Sequence, residues 1–184
     1  MLIQEGNISF DFDEEVWSHI LKYDETYDYK KIEKLDSSKA VDIIAIIQNK
    51  ALVLFEIKDF RGHRIQTKPR VQNGDDPLES EVALKVRDTI AGIIGAARNS
   101  TNHATDFQTY ARFFINKRKN IMVALCLEED RGTILGTKQL QRKKANSVIF
   151  NQQLKKKLNW LTNRVFVMHA LKNPFEDSLT ISLP

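Results

Sequence analysis

The sequence predicts an α/β fold, a mixed central β-sheet flanked by helices, and three observations carry that prediction. Runs of Val, Ile, Leu and Phe near residues 40–47, 51–60, 120–127 and 164–170 read as strands. The stretches between them repeat their apolar residues at helical spacing. At 184 residues and 42% hydrophobic content, the chain can bury one sizeable core but is short for two. A single domain over residues 1–184 is expected, with a basic helix and strands at about 137–184 as its C-terminal part.

In chain order, Asp11-Phe-Asp-Glu14 has the spacing of a capping box, and Val16, Trp17, Ile20 and Leu21 follow at helical period, which predicts a first helix over residues 12–23. A short strand is expected over 29–35, then a hairpin of strands 40–47 and 51–60 joined by Gln48-Asn49-Lys50. Residues 59–80 hold Gly62, Pro69, Gly74 and Pro77 among polar neighbours and read as a long loop. The longest helical pattern covers 79–98, with Val82, Val86, Ile90, Ile93, Ile94 and Ala97 on one stripe. A helix near 106–114, a strand at 120–127, a basic helix over 138–161 and strands at 164–170 and 179–183 complete the chain.

The net charge of +4 conceals a polarity along the chain. Residues 1–36 carry ten acids against four bases, whereas residues 131–175 carry ten Lys or Arg and neither Asp nor Glu. A basic block of this kind suits a phosphate backbone, and equally suits a solvated helix face. Nowhere is there a run approaching the roughly eighteen apolar residues of a membrane span, so a soluble, intracellular protein without membrane partners is expected. The one cysteine, Cys126, lies in an apolar run and is expected to be a small buried side chain.

The chemistry concentrates in the hairpin, where Asp42, Glu56 and Lys58 interrupt two very apolar strands. Buried carboxylates need a compensating partner. A three-residue connection sets Ile47 opposite Ala51 and hence Asp42 opposite Glu56, and Lys58, two residues on, shares their face. Two carboxylates so close repel one another unless a cation lies between them. Mg²⁺, which takes hard oxygen ligands from one or two carboxylates and leaves the rest to water and phosphate, meets that need.

Asp42, thirteen intervening residues, then Glu56-Ile57-Lys58, preceded by a predicted helix bearing a Glu, resembles the PD-(D/E)XK nuclease superfamily, with Val41 where the proline of the name would stand. That group includes type II restriction endonucleases and Holliday-junction resolvases. The resemblance covers about residues 12–62 and implies a restriction-endonuclease-like core of order α-β-β-β-α-β and a nuclease dependent on Mg²⁺, with Mn²⁺ substituting. By it, Asp42 and Glu56 ligate the metal through carboxylates and Ile57 through its backbone carbonyl, while Lys58 orients or activates the attacking water and stabilises charge on the phosphate. The family often adds an acid from its first helix. Of Glu14 and Glu15, helical geometry turns Glu15 inward.

The partner so implied is nucleic acid, DNA in the first instance. Arg61, Arg64, Lys68 and Arg70, which leave the catalytic strand directly, and Lys143, Lys144, Lys155 and Lys156 on the basic helix are the candidate phosphate contacts. The four histidines show no metal-ligand spacing. Two other readings stand beside the nuclease: a nucleic-acid-binding module without turnover, and an assembly subunit, such as a homodimer, joined through the small residues Ala91, Gly92, Gly95 and Ala96.

Overall fold

A computed structural model describes residues 1–35, 37–62, 77–130 and 137–184, with backbone alone for 137–144. Among the described residues there are eight strands and four helices in two sheets. The strands are β1 (Leu2–Glu5), β2 (Ile8–Phe12), β3 (Trp17–Lys22), β4 (Ile43–Ile47), β5 (Ala51–Asp59), β6 (Asn120–Glu128), β7 (Val165–Met168) and β8 (Leu179–Ser182). The helices are α1 (Tyr27–Glu33), α2 (Leu78–Asn99), α3 (Ala104–Ile115) and α4 (Thr137–Leu158). The larger sheet is mixed, in the order β3-β4-β5-β6-β7, antiparallel through β5 and parallel from β5 to β7. The smaller sheet, β1-β2-β8, is antiparallel.

Three layers result, and they explain why β4, β5 and β6 are apolar on both faces. Ile44, Ile46, Leu52, Leu54, Val123 and Leu125 face the helices, where Val82, Val86 and Ile93 of α2, Phe107 and Tyr110 of α3, and Phe150 and Leu154 of α4 complete one core. Ile43, Ala45, Val53, Phe55, Ile57 and Cys126 face the smaller sheet and pack on Ile8, Phe10, Phe12, Leu179 and Ile181. Strands covered on both sides read as continuous apolar runs. Cys126 is buried, and burial pushes its thiol up to about 12. No helix among the described residues is long and apolar enough to cross a membrane.

The N-terminal third departs from the sequence-based expectation. Residues 12–23 are the end of β2, a turn and β3, with no helix. In place of a capping box, the Asp13 carboxylate accepts from the Glu15 amide at 2.9 Å, an Asx-type turn. β3 carries a bulge: Ser18 pairs with Ile46 but Leu21 with Ile44, and His19 takes φ 47°. The extra residue shifts the side-chain phase, so Trp17 faces the smaller sheet and Leu21 the helices. A bulged strand thereby reproduces the apolar spacing of a helix. Residues 29–35, expected as a strand, belong largely to α1, whose start is fixed by Thr26 Oγ1 accepting from the Tyr29 amide at 3.1 Å. The expected α-β-β-β-α-β order thus lacks its leading helix. The smaller sheet was not foreseen, though Ile8, Phe10 and Phe12 alternate with Ser9 and Asp11, and Gly6 (φ 54°) turns β1 into β2.

The hairpin is as the sequence predicts. Gln48 (φ 48°) and Asn49 (φ 52°) form the tight connection, the Lys50 amide donates to Ile47 O at 2.9 Å, and Ile47 pairs with Ala51. Of the expected loop, residues 63–76 lie outside the described residues. Of the small residues of α2, Ala96 is in the helix-side core and Gly92 lies against Tyr23 and Ile32, whereas Ala91 is exposed and Gly95 has open space beside it.

A methyl group on Gly92 would stand 2.0 Å from Tyr23 Oη and 2.9 Å from Ile32 Cδ1. Gly92→Ala should therefore cost about 1–3 kcal/mol in urea unfolding, the usual range for overpacking. Tyr23 Oη is buried without a hydrogen-bond partner among the described residues, so Tyr23→Phe should be at least as stable as the parent and should relieve part of the Gly92→Ala loss. Additive losses in the double variant would contradict this packing.

Candidate functional site

β5 is the middle strand of the larger sheet, and its even-numbered residues face the helices: Leu52 and Leu54 pack in the core, then Glu56 and Lys58 follow at the C-terminal end. Asp42 lies just before β4. Ile43 pairs with Phe55, the Asp42 amide donates to Phe55 O at 3.0 Å, and the register continues to set Asp42 beside Glu56. Asp42, Glu56 and Lys58 thus share one face. Ligands of open α/β sheets characteristically sit at the carboxyl ends of parallel strands, where this group lies.

Glu56 is 0% exposed and Asp42 6%. Lys58 Nζ stands 2.9 Å from Glu56 Oε1 and 2.9 Å from Glu81 of α2. Lys85, one turn further along α2, places its Nζ 2.7 Å from Glu56 Oε1 and 3.5 Å from Asp42 Oδ1. Asp42 Oδ2 accepts from the Ile57 amide at 2.5 Å. Two ammonium groups therefore converge on one oxygen of Glu56, while the other, Oε2, is buried and has no hydrogen-bond partner among the described residues. α2 is held over this end of the sheet by the Val41 amide donating to Thr89 Oγ1 at 3.0 Å and the Lys39 amide donating to Asp88 at 3.2 Å.

Further acids lie on the other side of Asp42. Asp24, after β3, and Glu5, on β1, each bring a carboxylate oxygen within 4.8 Å of one another and of Asp42. Lys22 Nζ pairs with Glu5 at 3.0 Å and Glu25 at 2.8 Å. The site is buried at Glu56 and opens through the partly exposed Glu5, Asp24 and Lys58.

Burial raises the pKa of Glu56 to about 7, with the charge of Asp42 adding to it against Lys85 and Lys58. Burial also raises Asp42, opposed by Lys85 and the Ile57 amide, and lifts Asp24 to about 6 with help from Glu5 and Asp42. Burial pulls Lys58 down, but Glu56 and Glu81 outweigh it and hold the ammonium above its ordinary range. Lys58 is thus a firm cation and hydrogen-bond donor. The donor set fits a hard divalent cation: two carboxylates on one face, one of them with a buried oxygen that has no hydrogen-bond partner among the described residues.

The remaining candidates divide. Glu15 is exposed in the turn before β3, at the end of the sheet where Trp17 pairs with Ile47, while Asp42 adjoins the other end; it does not join the site. The helix that would have turned it inward is absent, and Asp24 and Glu5 are the acids beside Asp42 instead. Arg61 gives two guanidinium hydrogen bonds to Asp59, at 2.8 and 2.7 Å, so its charge is committed locally. Lys155 and Lys156 are exposed on α4, opposite the buried Phe150, Leu154 and Leu158. Arg64, Lys68 and Arg70, and the side chains of Lys143 and Lys144, lie outside the described residues. The sequence reading missed Lys85 and Glu81, whose signal was an i, i+4 pair at the margin of an apolar stripe.

Protein-family models, curated proteins and solved structures contain no match to this chain.

Without metal, Glu56 makes stability depend on pH in a definite direction. Its folded pKa of about 7 exceeds the ordinary 4.5, so between those values the folded chain retains a proton that the unfolded chain has released. Stability in EDTA should fall as pH rises from about 4.5 to 7. Asp24 and Asp42 act in the same sense, so the comparison is with Glu56→Gln, whose denaturation midpoints should decline less over that window. Parallel pH profiles for the two proteins would contradict a Glu56 held above the ordinary carboxylate range by burial.

Proposed function

We propose that the chain is a Mg²⁺-dependent nuclease that hydrolyses phosphodiester bonds of nucleic acid, with DNA the favoured substrate. The observation that carries this reading is Glu56, fully buried beside Asp42 with its Oε2 lacking a hydrogen-bond partner among the described residues, and with the Lys58 ammonium on the same face. A chain that needed only a folded core would be more stable with apolar residues at these positions.

In this reading Asp42 and Glu56 hold the metal, joined by the Ile57 carbonyl as the resemblance to PD-(D/E)XK nucleases implies. The metal, when bound, polarises a phosphoryl oxygen and lowers the pKa of a water. Lys58, paired with Glu56 and Glu81, donates to the attacking water or to a phosphate oxygen and stabilises the charge that develops in the transition state. Asp24 and Glu5 extend the acidic group toward solvent and can orient water around the cation. Of the candidate phosphate contacts, Lys155 and Lys156 are exposed and suited to grip backbone phosphates, which gives orientation without reading sequence. Support for a restriction-endonuclease-like core comes from the antiparallel β3-β4-β5, helical crossover and parallel β6, with the acidic residues on or beside β4 and β5.

The test is incubation of the purified protein with supercoiled plasmid, linear duplex and single-stranded DNA in Mg²⁺, Mn²⁺ or EDTA. Cleavage should occur with either metal and cease in EDTA, and Asp42→Asn should abolish it. Lys58→Ala should lower the single-turnover rate about 10²- to 10⁴-fold while leaving Mn²⁺ binding in place. Metal-independent cleavage, or an Asp42→Asn variant as active as the parent, would refute the assignment. Salt-sensitive DNA binding without cleavage would favour a binding module, and neither activity would favour an assembly role.

A further inference from the structure

We infer that Lys85 stands in for the metal ion in the metal-free protein: its ammonium bridges Asp42 and Glu56, and a divalent cation binds by displacing it. The inference rests on the metal-site reading above and concerns how that site is regulated.

The two cations of the site are not equivalent. Lys58 is anchored outside the carboxylate pair, since its Nζ lies as close to Glu81 as to Glu56. Among the described residues both ion pairs of Lys85 go to the pair itself, 2.7 Å to Glu56 Oε1 and 3.5 Å to Asp42 Oδ1. A cation that joins Glu56 to Asp42 needs the space between them and Asp42 Oδ1, which Lys85 now faces, since Asp42 Oδ2 accepts from the Ile57 amide. The placement follows from the fold, because Asp88 and Thr89, one turn along α2, accept from the amides of Lys39 and Val41 and bring that part of the helix against the segment leading to Asp42.

Charge balance gives the arrangement its purpose. Lys58 and Lys85 are the lysines paired with Asp42 and Glu56 among the described residues, while Glu81, Asp24 and Glu5 add negative charge beside that pair. Removing Lys85 alone leaves Asp42 and Glu56 repelling one another in low dielectric. Adding a divalent cation while Lys85 stays puts a second positive charge within a few ångströms of it. The long, flexible stem of lysine permits the third course, in which the ammonium swings out as the metal enters. Lys85 thereby keeps the pair folded without metal and raises the metal concentration needed to load the site.

The experiment compares the parent with Lys85→Met, using Mn²⁺ alone as the probe, with calorimetric titration and thermal melts in EDTA and in Mn²⁺. Lys85→Met should bind Mn²⁺ about tenfold or more tightly than the parent, the scale of a typical coupling between competing ligands. In EDTA it should melt below the parent, and Glu56→Gln added to it should restore much of that loss. If Lys85→Met does not fold, Lys85→Gln serves for the same comparison. A parent that binds Mn²⁺ beside a variant that binds it no more tightly would overturn the inference and leave the metal site standing. Failure of both proteins to bind Mn²⁺ would overturn the metal-site reading, and this inference with it.

Discussion

Placing Glu56 at 0% exposure in the middle strand of the sheet obliges the chain to surround it with opposite charge, and much of the architecture near β5 answers that requirement. An isolated buried carboxylate costs several kcal/mol after relaxation, more than one turn of helix or one hairpin can offset. Lys58 comes from the same strand, Lys85 and Glu81 from α2, and Asp42 from the residue before β4, so three separate elements must dock before the charges are balanced. Glu56 Oε2 still lacks a hydrogen-bond partner among the described residues, so the network is not fully satisfied.

The opposite face of β5 holds the register that makes this possible. Phe55, next to Glu56 in the chain, packs against Phe12, Trp17 and Phe175 with ring centroids 5.8, 5.8 and 6.0 Å away. A slip of one residue would drive Glu56 into that aromatic cluster and Phe55 among the lysines, so the register is strongly fixed. The smaller sheet therefore serves the site indirectly. Its Phe12 and Ile181 cover the apolar face of the central sheet, and its β1 carries Glu5 to the edge of the acidic group.

The parts legible in the sequence were those set by local rules. The hairpin register followed from a three-residue connection, and α2, α3, β6, α4 and β7 followed from unbroken periodicity. Asp42, Glu56 and Lys58 were legible because charge inside an apolar strand is anomalous wherever the chain goes. The N-terminal third was not, because the bulge at His19 gives β3 the spacing of a helix, and that error carried Glu15 into the site in place of Asp24 and Glu5. The smaller sheet depends on β2 pairing with β8, some 170 residues apart, which no local pattern encodes. Lys85 was hidden for a related reason: on its helix it is an ordinary lysine at the edge of a stripe, and only the docking of α2 gives it meaning.

The proposed chemistry of this chain requires Asp42 and Glu56 to form one cation site. Electron paramagnetic resonance of free Mn²⁺ in equilibrium with the protein counts bound ions directly and needs no substrate. The account predicts at least one bound Mn²⁺ per chain that is lost in the Asp42→Asn, Glu56→Gln double variant while that variant remains folded. A parent that leaves the free Mn²⁺ signal undiminished, or a folded double variant that binds as many ions as the parent, would contradict it.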